Sequence, residues 1–258
     1  MDGSVSRLVL PLLRIAALVY LLLCGCLLVF QRSLIYFPQP RSLASDLLEL
    51  PIADAPGKVL VSVRPHPGPR ALIYFGGNAE DVSQNLPGFS SAFPDYAIYL
   101  LNYRSYGGSS GDPSEAALLA DGLALFDRVH AGHRDVVVIG RSLGSGIAIR
   151  LASLRPISRL VLVTPYDSLQ ELAAGLFPYL PVRWLLRDKY ESWRYAAQVT
   201  APTLLVAAGH DEIVPRASTE LLASRFASGR AVLRVVPGTS HNTIADSARF
   251  LPLLRDGR

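Results

Sequence analysis

Short apolar runs alternate with helical stretches through most of this chain, and that alternation restricts its fold more than any other feature. The runs fall at residues 59–63, 71–75, 97–101, 136–139, 160–164, 203–208 and 231–236. Several lack the in-out pattern of a half-exposed strand, as expected of strands buried on both faces of a parallel sheet. The clearest helix is predicted from Pro113 to about residue 130, with Asp112 as N-cap, Pro113 at the first helical position and Glu115 in the first turn. Others are expected to start near Gly144, Ser218 and Asn242. Strand and helix at this spacing predict an α/β fold with a mostly parallel, doubly wound sheet. Almost forty residues, 165–202, break the rhythm, far more than a simple crossover needs. They predict a small lid, about residues 166–200, over the carboxyl edge of the sheet, where such folds bind ligands.

The N-terminus is of a different character. Residues 8–30 hold one charge, Arg14. As a helix they reach roughly 35 Å, enough for a hydrocarbon core of about 30 Å if Arg14 snorkels toward the headgroups. Three readings compete. A cleaved signal peptide needs a small-residue site after the run, and nothing A-x-A-like follows. Leu23-Cys24-Gly25-Cys26 loosely matches a lipoprotein signal, but residues 27–30 stay apolar where a polar tether is usual. An uncleaved single-pass anchor, residues 1–32, is therefore expected, carrying a domain over residues 33–258. Arg7 and Arg14 against Arg32 and Arg41 is nearly a tie, which tilts only slightly toward an extracytoplasmic domain. Both cysteines lie in the apolar run, so the remainder can form no disulfide and no cysteine metal site. Residues 33–56, with Pro38, Pro40, Pro51 and Pro56, read as an irregular connector.

Composition excludes more than it identifies. Half of the 258 residues are hydrophobic and 18% are charged, which rules out a disordered or coiled-coil chain. The net charge of +4 rests on scattered Arg, with Lys58 and Lys189 the two lysines. With no basic patch, a nucleic-acid partner is not expected.

Chemistry concentrates in three loops. Gly140-Arg141-Ser142-Leu143-Gly144 follows the run 136–139 directly and opens an apolar helix. Strand, sharp turn and helix are the context of the G-x-S-x-G nucleophile elbow, which lifts the serine hydroxyl above the sheet. Gly140 and Gly144 stand where a side chain would strike a neighbouring element. A second match, Gly107 to Gly111, lies in a glycine-rich loop beyond its strand, so Ser109 is read as turn chemistry. A serine nucleophile needs a base, and the base an orienting acid, in the chain order Ser, Asp, His. Asp211 follows the run 203–208 and His241 follows the run 231–236. Asp167 is the rival acid; Glu212 and Asp246 fit less well. His210 adjoins Asp211 and is a poor base for it, and His66, His130 and His133 are expected to be exposed. The metal reading of His210, Asp211 and His241 lacks recurrent ligand spacing. The N–H of Leu143 and that of Asn78, in the loop Gly76-Gly77-Asn78-Ala79-Glu80, are the expected oxyanion donors.

Six ordered motifs then occur together: Phe30-Gln31-Arg32-Ser33-Leu34-Ile35-Tyr36-Phe37-Pro38, Tyr74-Phe75-Gly76-Gly77-Asn78-Ala79, the stretch from Asn102 to Gly111, the GRSLGSG elbow, the GHDEIVP loop around Asp211 and the SHN loop around His241. Together they resemble the membrane-anchored alpha/beta-hydrolase-domain proteins, which include protein depalmitoylases. The resemblance implies an α/β-hydrolase fold, no cofactor, and Ser142, Asp211 and His241 as catalytic triad. Gly76 stands where that subgroup usually has His, and Ser105 where Gly is common. The expected function is a membrane-anchored serine hydrolase cleaving ester or thioester bonds of a lipid or other acyl substrate. The lid side chains Leu169, Leu172, Leu176, Phe177, Leu180, Trp184 and Leu185 suit either an acyl pocket or ordinary packing onto the core. A peptidase of the same fold and a catalytically silent membrane-tethered binding protein are the alternatives.

Overall fold

The computed structural model describes residues 3–53 and 55–257, with side chains from Val9 onward. Residues 1, 2, 54 and 258, which belong to the expected anchor, connector and main domain, lie outside the described residues, as does the side chain of Arg7. Among the described residues, eight strands form one sheet: β1 (Asp46–Pro51), β2 (Lys58–Arg64), β3 (Arg70–Phe75), β4 (Ala97–Leu101), β5 (Asp135–Arg141), β6 (Arg159–Val163), β7 (Thr203–Ala208) and β8 (Ala231–Val236). Their order is β1-β2-β4-β3-β5-β6-β7-β8. The pairs β1–β2 and β2–β4 are antiparallel and all later pairs are parallel.

The unbroken apolar character of the central strands has its cause in this sheet. Along β3, Ala71, Ile73 and Phe75 enter one core cluster while Leu72 and Tyr74 enter another, and β5 divides likewise. Both faces are covered, so neither phase of the strand can be polar. On one face lie α3 (Glu115–His130), α4 (Leu143–Ala152) and α8 (Arg216–Arg225); α2 (Leu86–Ala92) and α9 (Phe250–Asp256) cover the other. The inserted segment holds three short helices, α5 (Leu169–Leu176), α6 (Val182–Leu185) and α7 (Trp193–Ala196). The N-terminal helix α1 runs from Gly3 to Ile35, and its stretch Val9–Ile35 is long and apolar enough to cross a membrane.

Several local expectations need correction. Helix α3 starts at Glu115, not Pro113, because the Ser114 hydroxyl rather than Asp112 caps it, accepting from the Ala117 N–H at 3.1 Å. Residues 33–56 are not irregular throughout: 33–35 complete α1 and 46–51 form β1. Strand β1 shows no apolar run because it is an edge strand that buries only Leu50. The strand expected at 160–164 stops at Val163, since Thr164 has a φ of 46°. Near Asn242 stands a 3-10 turn, Ile244–Asp246, and the helix proper begins at Phe250. Of the histidines expected outside, His130 stacks on Phe126 and His133 bonds the Gly68 carbonyl at 2.8 Å, so both are half-buried, as is His66.

Candidate functional site

Strand β5 delivers Ser142 to the carboxyl edge of the sheet, and the two glycines around it explain how. A Cβ on Gly140 would lie 2.6 Å from the Gly144 carbonyl oxygen and 2.7 Å from the Ala148 Cβ. One on Gly144 would lie 2.2 Å from the Phe75 carbonyl oxygen. Only glycine lets α4 turn back this tightly against β3 and β5. Ser142 between them takes φ 47° and ψ −116°, a conformation that side chains rarely adopt. Its N–H is held by the Val163 carbonyl at 2.8 Å, so the turn is fastened to β6. Ser109 has no such setting: its hydroxyl accepts from Leu60 N–H and donates to the Asn102 carbonyl, both at 2.9 Å.

Three side chains from loops far apart in sequence meet here. His241 Nε2 lies 2.9 Å from Ser142 Oγ, and His241 Nδ1 lies 2.9 Å from each Asp211 oxygen. His241 is buried, as is the Asp211 carboxylate, at 6% side-chain exposure. Burial alone would raise the Asp211 carboxyl. The hydrogen bond from His241 and the N–H groups of Val214 and Ile213 outweigh it and hold the group below the ordinary carboxylate value. An ionised Asp211 accepts from Nδ1–H and leaves Nε2 to face the serine. Asp167 is buried but accepts from the Ser218 hydroxyl at 2.5 Å. Glu212 accepts from the backbone N–H of His241 at 3.3 Å, and His210 is exposed.

Opposite Ser142 lies the loop after β3. A Cβ built on Gly77 would stand 3.6 Å from that of Ser142. The N–H of Gly77 is committed to Glu80 and that of Gly144 to the Gly76 carbonyl, while Asn78 and Leu143 line a cavity together with Ser142. The loop is well braced despite Gly76: its carbonyl also accepts from the Tyr103 hydroxyl at 2.8 Å. A Cβ at Gly76 would meet Val82 Cγ1 at 2.5 Å, so this packing favours glycine. Burial pushes the Tyr106 phenol up to about 12, and it donates to Asn78 Oδ1 at 3.1 Å. Ser105 carries φ 68°, and its hydroxyl closes the turn onto the Gly111 carbonyl at 2.7 Å.

Nothing in the sequence marks Glu80 or Arg141 as a support for this loop. Glu80 accepts from Gly77 N–H, the Tyr74 hydroxyl and Asn85, and faces Arg141 at 3.5 Å. Arg141 also donates to the His241 carbonyl at 3.4 Å. A lone Glu after a glycine loop carries no distinctive spacing, and Arg141 occupies the variable position of the elbow.

The cavity measures about 320 Å³ and is walled mostly by aliphatic side chains. Leu169, Leu172, Leu176, Phe177, Leu180 and Leu185 of the inserted segment line it. Trp184, grouped with them on sequence, instead points outward at 88% exposure. None of the α5 side chains is fully buried, and Leu169 and Leu172 both line this cavity and pack against the core beneath it. The opposite wall comes from α1, through Leu27, Gln31, Leu34 and Ile35.

Comparison with known proteins agrees with this architecture. The model of the alpha/beta hydrolase family matches residues 68–199. Rv2307c of Mycobacterium tuberculosis is 36% identical over 271 residues, covering 95% of this chain and 91% of that one. The lysophosphatidylserine lipase ABHD12 of Xenopus tropicalis is 27% identical over 190 residues, covering 62% of this chain and 49% of its own. In three dimensions, alpha/beta hydrolase domain-containing protein 10 from mouse superposes with a TM-score of 0.63 at 17% identity, over 82% of this chain and 96% of that one. The chain belongs to the alpha/beta hydrolase family.

Proposed function

We propose that this protein is a membrane-anchored serine hydrolase that cleaves carboxylic ester or thioester bonds of hydrophobic acyl groups. The observation that carries the reading is the unbroken line Asp211–His241–Ser142, with 2.9 Å at each step. Ser142 Oγ attacks the acyl carbonyl while His241 Nε2 takes its proton, and Asp211 holds the resulting imidazolium. The N–H groups of Leu143 and Asn78 stabilise the oxyanion, a contribution of roughly 3–4 kcal/mol per donor removed. Collapse expels the alcohol or thiol, which receives the proton from His241, and leaves an acyl-Ser142 ester. Water, deprotonated by His241, attacks that ester; the fatty acid leaves and Ser142 regains its proton. No metal or cofactor enters any step. The aliphatic cavity beside Ser142 supports an acyl preference over a peptide one. So does the lipase named among the relatives. The apolar stretch Val9–Ile35 supports the anchor.

The test is labelling of the detergent-solubilised full chain with a fluorophosphonate probe, beside Ser142→Ala and His241→Ala. Labelling of the wild type and none of Ser142→Ala is expected. Labelling that survives Ser142→Ala, or a silent wild type, overturns the reading. A chain-length series of p-nitrophenyl esters, with peptide amides alongside, separates esterase from peptidase.

A further inference from the structure

The anchor helix does more than precede the domain. Its last two turns form a wall of the cavity that holds Ser142, and the inserted segment is strapped along it. The Gln31 amide donates to the Leu185 carbonyl at 3.1 Å and accepts from the Arg187 N–H at 2.7 Å. Arg32 pairs with the buried Asp188 at 3.0 Å. The Tyr36 hydroxyl meets both Asp188 and Tyr190. Further up the helix, the Tyr20 hydroxyl donates to the Tyr179 carbonyl at 2.9 Å. From Tyr20 to Ile35 the axis rises roughly 22 Å. The inserted segment therefore lies beside α1 for about four turns.

Membrane geometry gives this contact its meaning. Any stretch of about 20 residues taken within Val9–Ile35 to fill the hydrocarbon core includes both Tyr20 and Leu27. Whatever touches Tyr20 is then at membrane depth too. The segment's own surface fits that setting: Leu176, Phe177, Tyr179 and Trp184 are 74%, 53%, 88% and 88% exposed. Such a cluster is anomalous on a surface facing water, whereas Trp and Tyr concentrate where hydrocarbon meets headgroups. Leu176 and Phe177 also line the cavity, so the exposed patch and the interior of the site are continuous.

We propose that the cleft between α1 and the inserted segment is a lateral portal, with the 176–184 tip embedded in one leaflet. The acyl chain of a bilayer-resident lipid passes through this portal to Ser142 without crossing water. Leu27, Leu34 and Ile35 form the anchor side of the passage, and Leu176 and Phe177 the lid side. The proposal rests on the serine hydrolase reading of Ser142 and adds to it the source of the substrate.

Two measurements on the full chain test it. Trp184 and Trp193 are the two tryptophans, so Trp193→Phe leaves Trp184 as sole emitter. In phosphatidylcholine vesicles, lipids brominated in the acyl chain are expected to quench it and aqueous iodide to leave it bright. Quenching by iodide and not by the brominated lipid overturns the portal. This reading is independent of catalysis and can be repeated in Ser142→Ala.

The second compares Tyr179→Ser/Trp184→Ser, two positions outside the cavity, with wild type on two substrates. Hydrolysis of a long-chain 4-methylumbelliferyl ester dissolved in the vesicles is expected to fall about tenfold or more, while the acetate ester in detergent stays within about twofold. Equal turnover of the vesicle ester by variant and wild type, or an equal fall on both substrates, overturns the portal. A wild type inert toward both esters overturns the hydrolase reading instead, whatever the quenching shows.

Discussion

The carboxylate of Glu80 and the guanidinium of Arg141 stand 3.5 Å apart with side-chain exposures of 10% and 16%, and they join three parts of the site. Glu80 takes the Gly77 N–H at the start of the loop after β3, while Arg141 adjoins Ser142 and reaches the His241 carbonyl. Neither touches the reacting atoms. They tie together the loop after β3, the turn at Ser142 and the loop that carries His241, and in the proposed mechanism they act as positioning residues.

Glu80→Gln keeps the shape but removes the charge and turns an amide N–H₂ toward groups that are already donors. Arg141 loses its buried counter-charge as well. A partly displaced oxyanion donor costs less than a deleted one, so kcat should fall about 10- to 100-fold with KM nearly unchanged. Steady-state kinetics on a p-nitrophenyl ester decide the matter: a rise in KM at constant kcat would make Glu80 part of the binding surface instead.

Gly144→Ala should be among the most damaging small substitutions in the chain. Its Cβ has to displace backbone, the Phe75 carbonyl at 2.2 Å and the Gly76 carbonyl at 2.6 Å, rather than a pliable side chain. A loss of at least about 3 kcal/mol, or no folded protein, is expected. Gly175→Ala offers the contrast. It sits in α5 with nothing within 4 Å of the added carbon. There the exchange should be neutral or stabilise by roughly 0.5–1 kcal/mol, because alanine loses less backbone freedom on folding. Thermal melts of both variants in the same detergent make the comparison.

Asp211 also predicts a pH dependence of stability. Its folded carboxyl titrates below its unfolded value, so it stabilises the fold fully above the unfolded value, about 3.9. That contribution is lost as the pH falls through the lowered folded value. Asp211→Asn removes the titrating group, so between about pH 5 and pH 3 the melting temperature of the variant should decline less steeply than that of wild type. Parallel profiles would show that the carboxylate contributes no pH-linked stability.

Different physical signals made different parts of this molecule legible in sequence. The central strands β3, β5, β6 and β7 are apolar on both faces and stand out from any background. The elbow is legible because two steric clashes fix glycine at both ends of a five-residue window. Asp211 and His241 follow from chain order once the strands are known. Strand β1 left no trace because an exposed edge needs no apolar phase. The start of α3 is ambiguous in sequence because Asp112, Pro113 and Ser114 all favour helix starts, and the Ser114 hydroxyl geometry decides among them. The cavity wall from α1 and the Glu80–Arg141 pair were beyond reach, since each depends on a contact between distant segments that no local period records.

Helix α1 passes into the domain without slack. It ends at Ile35, and the next residue, Tyr36, is already 4% exposed and bonded within the core. A domain tethered by a flexible linker samples a hemisphere of solution, and its encounters scale with bulk concentration. One fused rigidly to its membrane span keeps a single face toward the lipid and searches in two dimensions. Turnover by the proposed anchored hydrolase should then follow the mole fraction of substrate in the bilayer, and inert lipid added at constant substrate should slow it by surface dilution.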